Sequence, residues 1–257
     1  TGASETSQAT SNAATTGTTG GTVTTTANDA NMTADGLTAW MQTVVVNGDE
    51  DVNLSNGGAT VASAGINASG SSGVITATIL DTVADTLDTT SVVTGSGADS
   101  ITVNGNDIIT VNTGGGDDTI IITDVAATAT FNGSEGGDTF TMTEAATAYI
   151  AIGGAGNDTF NVGTNTGMQA TIIGGEGTDD TLIVGNAALD LTAASANFGI
   201  SGVEVFELDA TNSTMTMTAT QFANNNTVKL EGDSVTADLF VVEGLATANT
   251  IDATGVT

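Results

Sequence analysis

Five aspartates recur at a near-constant interval through the middle of this chain: Asp99, Asp118, Asp138, Asp158 and Asp179, separated by 19, 20, 20 and 21 residues. Each closes a glycine-rich turn, in TGSGADSIT (94–102), TGGGDDTII (113–121), GSEGGDTFT (133–141), GGAGNDTFN (153–161) and GGEGTDDTLI (174–183). A fixed period of this size marks a solenoid, in which each repeat stacks on the next. If the coils stack, the carboxylates form a column, and like charges in a column repel unless a cation lies between them. The chain has 30 acidic residues and one basic residue, a formal net charge of −29. The chemistry expected of the column is therefore capture of several hard divalent cations, Ca²⁺ above all, by carboxylate and backbone carbonyl oxygens.

Glycine suits such a turn because it accepts φ > 0 and has no side chain to block an inward-facing carbonyl. The expected metal-ligating set is Gly97 and Asp99; Gly114, Gly116, Asp117 and Asp118; Gly136 and Asp138; Gly154, Gly156, Asn157 and Asp158; and Gly175, Gly177, Asp179 and Asp180. Asp107, half a coil from Asp99, suggests a second, shorter column on the opposite edge. Asp117, Glu135, Glu176 and Asp180 share the turns and add either ligands or charge alone. No single repeat completes a site, so binding and folding are expected to be coupled.

Composition removes other chemistries. A charge of −29 argues against nucleic acid as a partner, because phosphates demand a basic surface. With no His and no Cys there is no ordinary zinc site, no Ser–His–Asp or Cys–His catalytic set and no disulfide. A site built from carboxylates alone would need two acids across a cleft with aromatics to stack a sugar. Only 4% of the residues are aromatic and the acids are evenly spaced, so the chain is not expected to be an enzyme. The aspartates also occupy the place an anion would take at the glycine turns, which argues against phosphate binding there. No apolar run approaches the roughly 20 residues of a membrane-spanning helix. The chain does not begin with Met, TGASETSQAT has no basic-plus-apolar leader, and both ends stop in repeat-like sequence, so a piece of a longer protein is expected.

Strands must position the turns. The chain is 39% hydrophobic, rich in Val, Ile and Thr, and without Pro. Each aspartate is followed by a β-branched or aromatic run, then a loop, then a second strand, as in TATFNG, AYIAIGG and QATIIGG. Alternation aims Ile120 and Ile122, Phe140 and Met142, Phe160 and Val162, and Leu182 and Val184 inward. The partner strands are expected to supply Phe131, Ile150, Ile152 and Ile172. The expected organisation is a low-complexity arm (1–30), metal-poor coils (31–93), the metal-binding core (94–185) and a metal-poor continuation (186–257). A short helix is expected near 32–44, where Met32, Leu37, Trp40, Met41 and Val44 form a stripe. Met215 and Met217 are expected in the core, and Lys229 beside a glutamate on the surface.

GGAGNDTFN matches G-G-x-G-x-D-x-U-x at every defined position, and GSEGGDTFT and TGGGDDTII match with one glycine replaced. Over about 90 residues the chain resembles the repeats-in-toxin (RTX) family. The resemblance implies an all-β, right-handed parallel β-roll, Ca²⁺ in the glycine–aspartate turns and one-step secretion. Family repeats come every nine residues and bind metal along both edges; here the period is about twenty. The Thr- and Ala-rich flanks are similar to the bacterial surface-layer and extracellular-matrix members. The expected function is a calcium-dependent, self-assembling extracellular structural protein at the cell surface, a homo-oligomeric lattice or filament. The alternatives are an adhesin or a virion or appendage fibre stalk, with a surface glycan or lipopolysaccharide as partner, and the calcium-folding tail of a secreted hydrolase.

Overall fold

In a computed structural model the described residues are 21–27, 32–33, 41–49, 51–54, 65–80, 89–105, 108–125, 128–143, 148–163, 169–185, 188–192, 199–208, 214–225, 228–232, 239–243 and 251–255. They form a parallel β-solenoid. Strands alternate between two sheets, so that consecutive strands face one another and every second strand pairs. The first sheet runs Gly21–Ala27, Met41–Gly48, Gly65–Ser71, Thr89–Val93, Ile108–Asn112, Thr130–Glu135, Ile150–Ala155, Thr171–Glu176, Gly199–Ser201. The second runs Met32–Thr33, Val52–Asn53, Ile75–Leu80, Ser100–Asn104, Thr119–Asp124, Thr139–Met142, Thr159–Gly163, Thr181–Val184, Val205–Leu208, Val228–Gly232, Ile251–Gly255. A third, short sheet (Ala188–Asp190, Thr214–Thr218, Leu239–Glu243) joins towards the C-terminal end.

The core is a stack of in-register apolar rungs. In the second sheet Ile101, Ile120, Phe140, Phe160, Leu182 and Phe206 succeed one another directly, all fully buried. Phe140 and Phe160 lie stacked with centroids 4.8 Å apart and planes 15° apart. Opposite them, Val111, Phe131, Ala151, Ile172 and Ile200 form the matching column. The inward alternation expected for Ile120, Ile122, Phe140, Met142, Phe160, Val162, Leu182 and Val184 holds at every position, and Met215 and Met217 are buried.

Two expectations fail. Ile150 and Ile152 face outward, Ile150 being 38% exposed, and Ala151 takes the core position between Phe131 and Ile172. The register is fixed by Phe131 and Ile172, and a residue of the other parity cannot enter without turning its whole strand over. The helix over 32–44 is contradicted at both ends, where Met32–Thr33 and Met41–Gly48 are strands; Trp40 and Leu37 lie outside the described residues. Parallel pairing of these segments with Gly21–Ala27 and Val52–Asn53 overrides the helical spacing of the apolar side chains.

The single helix among the described residues is Ala219–Ala223, five residues long. Thr218 and Gln221 close a reciprocal capping box at 2.8 and 3.2 Å, and Phe222 anchors it in the core.

Outside, the second sheet presents two straight ranks. One reads Thr76, Ser100, Thr119, Thr139, Thr159, Thr181; the other Thr78, Thr102, Ile121, Thr141, Asn161, Ile183. They end in Val205 and Lys229, and in Glu207 and Glu231, where Lys229 and Glu231 form a surface ion pair.

Candidate metal-binding aspartate column

Each aspartate sits one residue before a strand of the second sheet, at the inward parity, so the chain has to carry it into the interior. Asp99, Asp118, Asp138, Asp158 and Asp180 are all 0–2% exposed and lie one above another. Every rung uses its aspartate in the same way. The amide of Asp99 donates to Oδ1 of Asp118 (2.7 Å), that of Asp118 to Asp138, that of Asp138 to Asp158 and that of Asp158 to Asp180 (2.8 Å each). The carbonyls of Asp99, Asp118, Asp138 and Asp158 accept from Thr119, Thr139, Thr159 and Thr181, at 2.7–2.8 Å. Each aspartate side chain thus supplies the acceptor for the amide that opens the preceding strand, beside the backbone bonds that join one turn to the next.

The fifth member of the column is Asp180. Asp179 is exposed and turned out of the coil. Thr181 pairs with Thr159, which aligns Asp180 with Asp158, and the additional residue of GGEGTDDTLI is absorbed in the turn before it. The expected anchor at Asp179 is therefore corrected by one position.

The second carboxylate oxygen is the anomaly. Oδ2 of Asp99, Asp118, Asp138, Asp158 and Asp180 is buried and has no hydrogen-bond partner. The hydroxyls of Thr94 and Thr113 stand on the facing side of the first two rungs. Their single protons go elsewhere, Thr94 to the Thr113 carbonyl (2.8 Å) and Thr113 to the Gly133 carbonyl (3.0 Å). In the next three rungs Gly133, Gly153 and Gly174 take that place, and a Cβ on any of them would collide with Oδ2 of Asp138, Asp158 or Asp180. Burial pushes Asp118 and Asp158 up to about 7 and Asp138 up to about 6, from the ordinary 3.8. Asp99 and Asp180 are raised by the same desolvation. An unpaired buried carboxylate is costly in its charged form.

The glycines stack beside the carboxylates. Gly116, Gly136 and Gly156 have φ of +113°, +126° and +129°, and a Cβ on Gly116, Gly136, Gly156 or Gly177 would strike the carbonyl of Gly97, Gly116, Gly136 or Gly156 in the preceding rung. Gly114, Gly154 and Gly175 stack one step earlier in the turn, with φ of +87°, +122° and +124°. Ser134 holds φ +82° where the motif has glycine.

The exposed members of the turns form an outer ladder. Oδ1 of Asp117 accepts from the Gly137 amide (2.9 Å) and Oδ1 of Asn157 from that of Thr178 (3.2 Å). These carboxamide and carboxylate groups reach towards the following rung, whereas the buried aspartates reach towards the preceding one. Among the described residues no three acidic side chains converge on one point, so an ion here would draw most of its oxygens from carbonyls. Asp107 lies outside the described residues.

The ladder runs further than the glycine motif. The Asp180 amide donates to Oε2 of Glu204 (3.1 Å), the Val203 amide to Oδ1 of buried Asn225 (2.8 Å), and the Ile75 amide to Oδ1 of Asp99 (2.7 Å). Burial raises Glu204 as well. Its sequence signal is an acid directly before the strand Val205–Leu208, as in the aspartate rungs. Comparison with protein-family models, with characterised proteins and with solved structures found no match for this chain.

Proposed function

We propose that the chain is a calcium-dependent structural β-solenoid that assembles with copies of itself outside the cell. The observation that carries this reading is the column of five buried, unpartnered Oδ2 atoms beside stacked glycine carbonyls. If ionised, neighbours about 4.8 Å apart would repel by on the order of 3 kcal/mol per pair at an effective dielectric of about 20. One basic residue in the whole chain, Lys229, already paired with Glu231, cannot offset that.

A hard divalent ion suits the donor set, which is oxygen only, mixed carboxylate and carbonyl. Asp99, Asp118, Asp138, Asp158 and Asp180 would hold it through Oδ2, and the carbonyls of Gly153, Gly174 and Gly202 lie beside Oδ2 of Asp138, Asp158 and Asp180. Bound ions would neutralise the column and tie adjacent rungs. Asp117 and Asp179 contribute charge at the rim, and Asp117 and Asn157 accept hydrogen bonds from amides of the following turn. Oxygen-rich sites of this kind can be tuned to the roughly millimolar free calcium of extracellular fluids. A parallel stack grows by adding strands at its ends, and the same backbone bonds would join a second copy. No described helix is long and apolar enough to cross a membrane.

The test is calcium titration of EGTA-treated protein, followed by calorimetry, far-UV circular dichroism and electron microscopy. Heat of binding, a gain of β signal and ordered lattices or filaments that dissolve in EGTA are expected. An unchanged β spectrum with no heat would overturn the metal reading. Calcium binding by a protein that stays monomeric would overturn the assembly reading alone.

A further inference from the structure

The charge of this molecule is unevenly placed. Within rungs 76–183 most acids gather at the turns; Asp124 stands at the end of its strand, and the two ranks from Thr76 to Thr181 and from Thr78 to Ile183 carry none. From Thr76 to Thr181 one rank holds six hydroxyl residues in succession: Thr76, Ser100, Thr119, Thr139, Thr159 and Thr181. The parallel rank is mixed and reads Thr78, Thr102, Ile121, Thr141, Asn161 and Ile183. Their side chains are partly exposed, and the register is unbroken at each of these pairings.

We infer that this face binds ice. Parallel pairing sets the hydroxyls about 4.8 Å apart along the stack and about 6.6 Å apart along each strand. The repeat along the stack is close to the a-axis repeat of water oxygens on the prism face of hexagonal ice. Sheets held by side-chain ladders stay flatter than free ones, and the buried aspartate ladder runs along the edge of this face, one residue before each strand. Threonine pairs a hydroxyl that can bond lattice water with a methyl that disfavours liquid-like hydration; the Thr181 hydroxyl also donates to the Asp179 carbonyl (3.2 Å). A rigid surface loses little entropy on meeting a solid.

Other occupants fit less well. A charged partner finds no charge in these ranks. A crystalline polysaccharide would call for aromatic platforms, and Phe131, Phe140, Tyr149, Phe160, Phe206 and Phe222 are all buried. The first sheet has no unbroken hydroxyl rank to match that from Thr76 to Thr181, because Ile150 interrupts Thr110, Thr130 and Thr171. The inference concerns the outside of the stack and holds whatever neutralises the inside.

The test is ice-crystal shaping and thermal hysteresis of the full chain in calcium buffer, with circular dichroism on the same samples. Wild type should facet crystals and depress the freezing point below the melting point. The pair Thr102→Lys/Thr141→Lys should abolish the gap, and Thr110→Lys/Thr130→Lys on the other sheet should keep it. If the lysine pair loses its β spectrum, Thr102→Leu/Thr141→Leu asks the same question with no added charge. A folded wild type without hysteresis overturns the inference, as does equal activity in both variant pairs. So does a wild-type dimer that the Thr102/Thr141 variants convert to monomer, because the face would then pair two copies.

Discussion

The amide of Asp118 donates to Oδ1 of Asp138 across 2.8 Å, while Oδ2 of the same Asp138 is buried against Gly133 without a partner. One oxygen of the carboxylate is thus structural and the other is available. The two functions separate by substitution. Asp138→Asn keeps the acceptor and removes the charge, so it should raise the melting temperature in EGTA and lower the gain on adding calcium. Asp138→Ala also orphans the Asp118 amide and should destabilise the protein by about 1–3 kcal/mol in either buffer. Calorimetric melting of both variants, with and without calcium, reads the difference. Asp180→Asn should behave as Asp138→Asn does, and Asp179→Asn should leave the calcium response near wild type.

Without metal, stability should fall as pH rises. The folded-state values of Asp118, Asp138 and Asp158 lie above the ordinary 3.8, so the folded chain holds protons that the unfolded chain releases. Their contribution is fully favourable below about pH 4 and is lost as pH rises through about 6 to 7. Urea melts in EGTA should therefore show a lower midpoint at pH 8 than at pH 5. Calcium competes with protons for the same oxygens, so in millimolar calcium the trend should flatten or reverse.

Gly136 and Gly137 make a matched pair of probes. Gly136 has φ +126°, and a Cβ there would run into the Gly116 carbonyl; Gly137 has its nearest such neighbour, the Asn157 carbonyl, at 3.1 Å. Gly136→Ala should cost at least about 2 kcal/mol, combining backbone strain with a carbonyl clash. Gly137→Ala should cost clearly less. Chemical denaturation of the two single variants checks the order.

The ring stack can be weighed on its own. Phe140→Ala should cost about 3–5 kcal/mol as a core truncation. A double-mutant cycle with Phe160→Ala should return a coupling of about 0.5–1.5 kcal/mol, because the rings touch face to face. A coupling near zero would mean that the two rungs pack independently.

The solenoid and most of its inward faces were legible in the sequence because two signals agreed, a fixed twenty-residue interval and a period-2 alternation. Where one signal acted alone, reading failed. At Asp179 and Asp180 the interval favoured the first acid, but the following D-T-L-I matches D-T-F-N and assigns the column to the second. At Ile150 and Ile152 hydrophobicity favoured the bulky residues, whereas register favoured Ala151. Residues 32–44 show helical spacing of apolar side chains, and only pairing with neighbouring strands decides against it. The T-A-T-Q box at 218–221 is a local signal that was present and passed over. Glu204 offered a weaker signal, a G-V-E triplet directly before a strand without the surrounding glycines, and Asn225 offered none. The buried ladder itself was beyond reach: spacing says that five acids align, not that each one accepts an amide from the rung before it.

The one-to-one linkage of each aspartate with the preceding rung makes the molecule a ruler. Asp118 and Asp138 occupy identical junctions, each followed by threonine, so excising 119–138 joins equivalent points and leaves every remaining amide with an acceptor. Rod length then changes in whole increments of about 4.8 Å, the advance of one strand. Evolution, or an engineer, can set the reach of this protein by counting repeats.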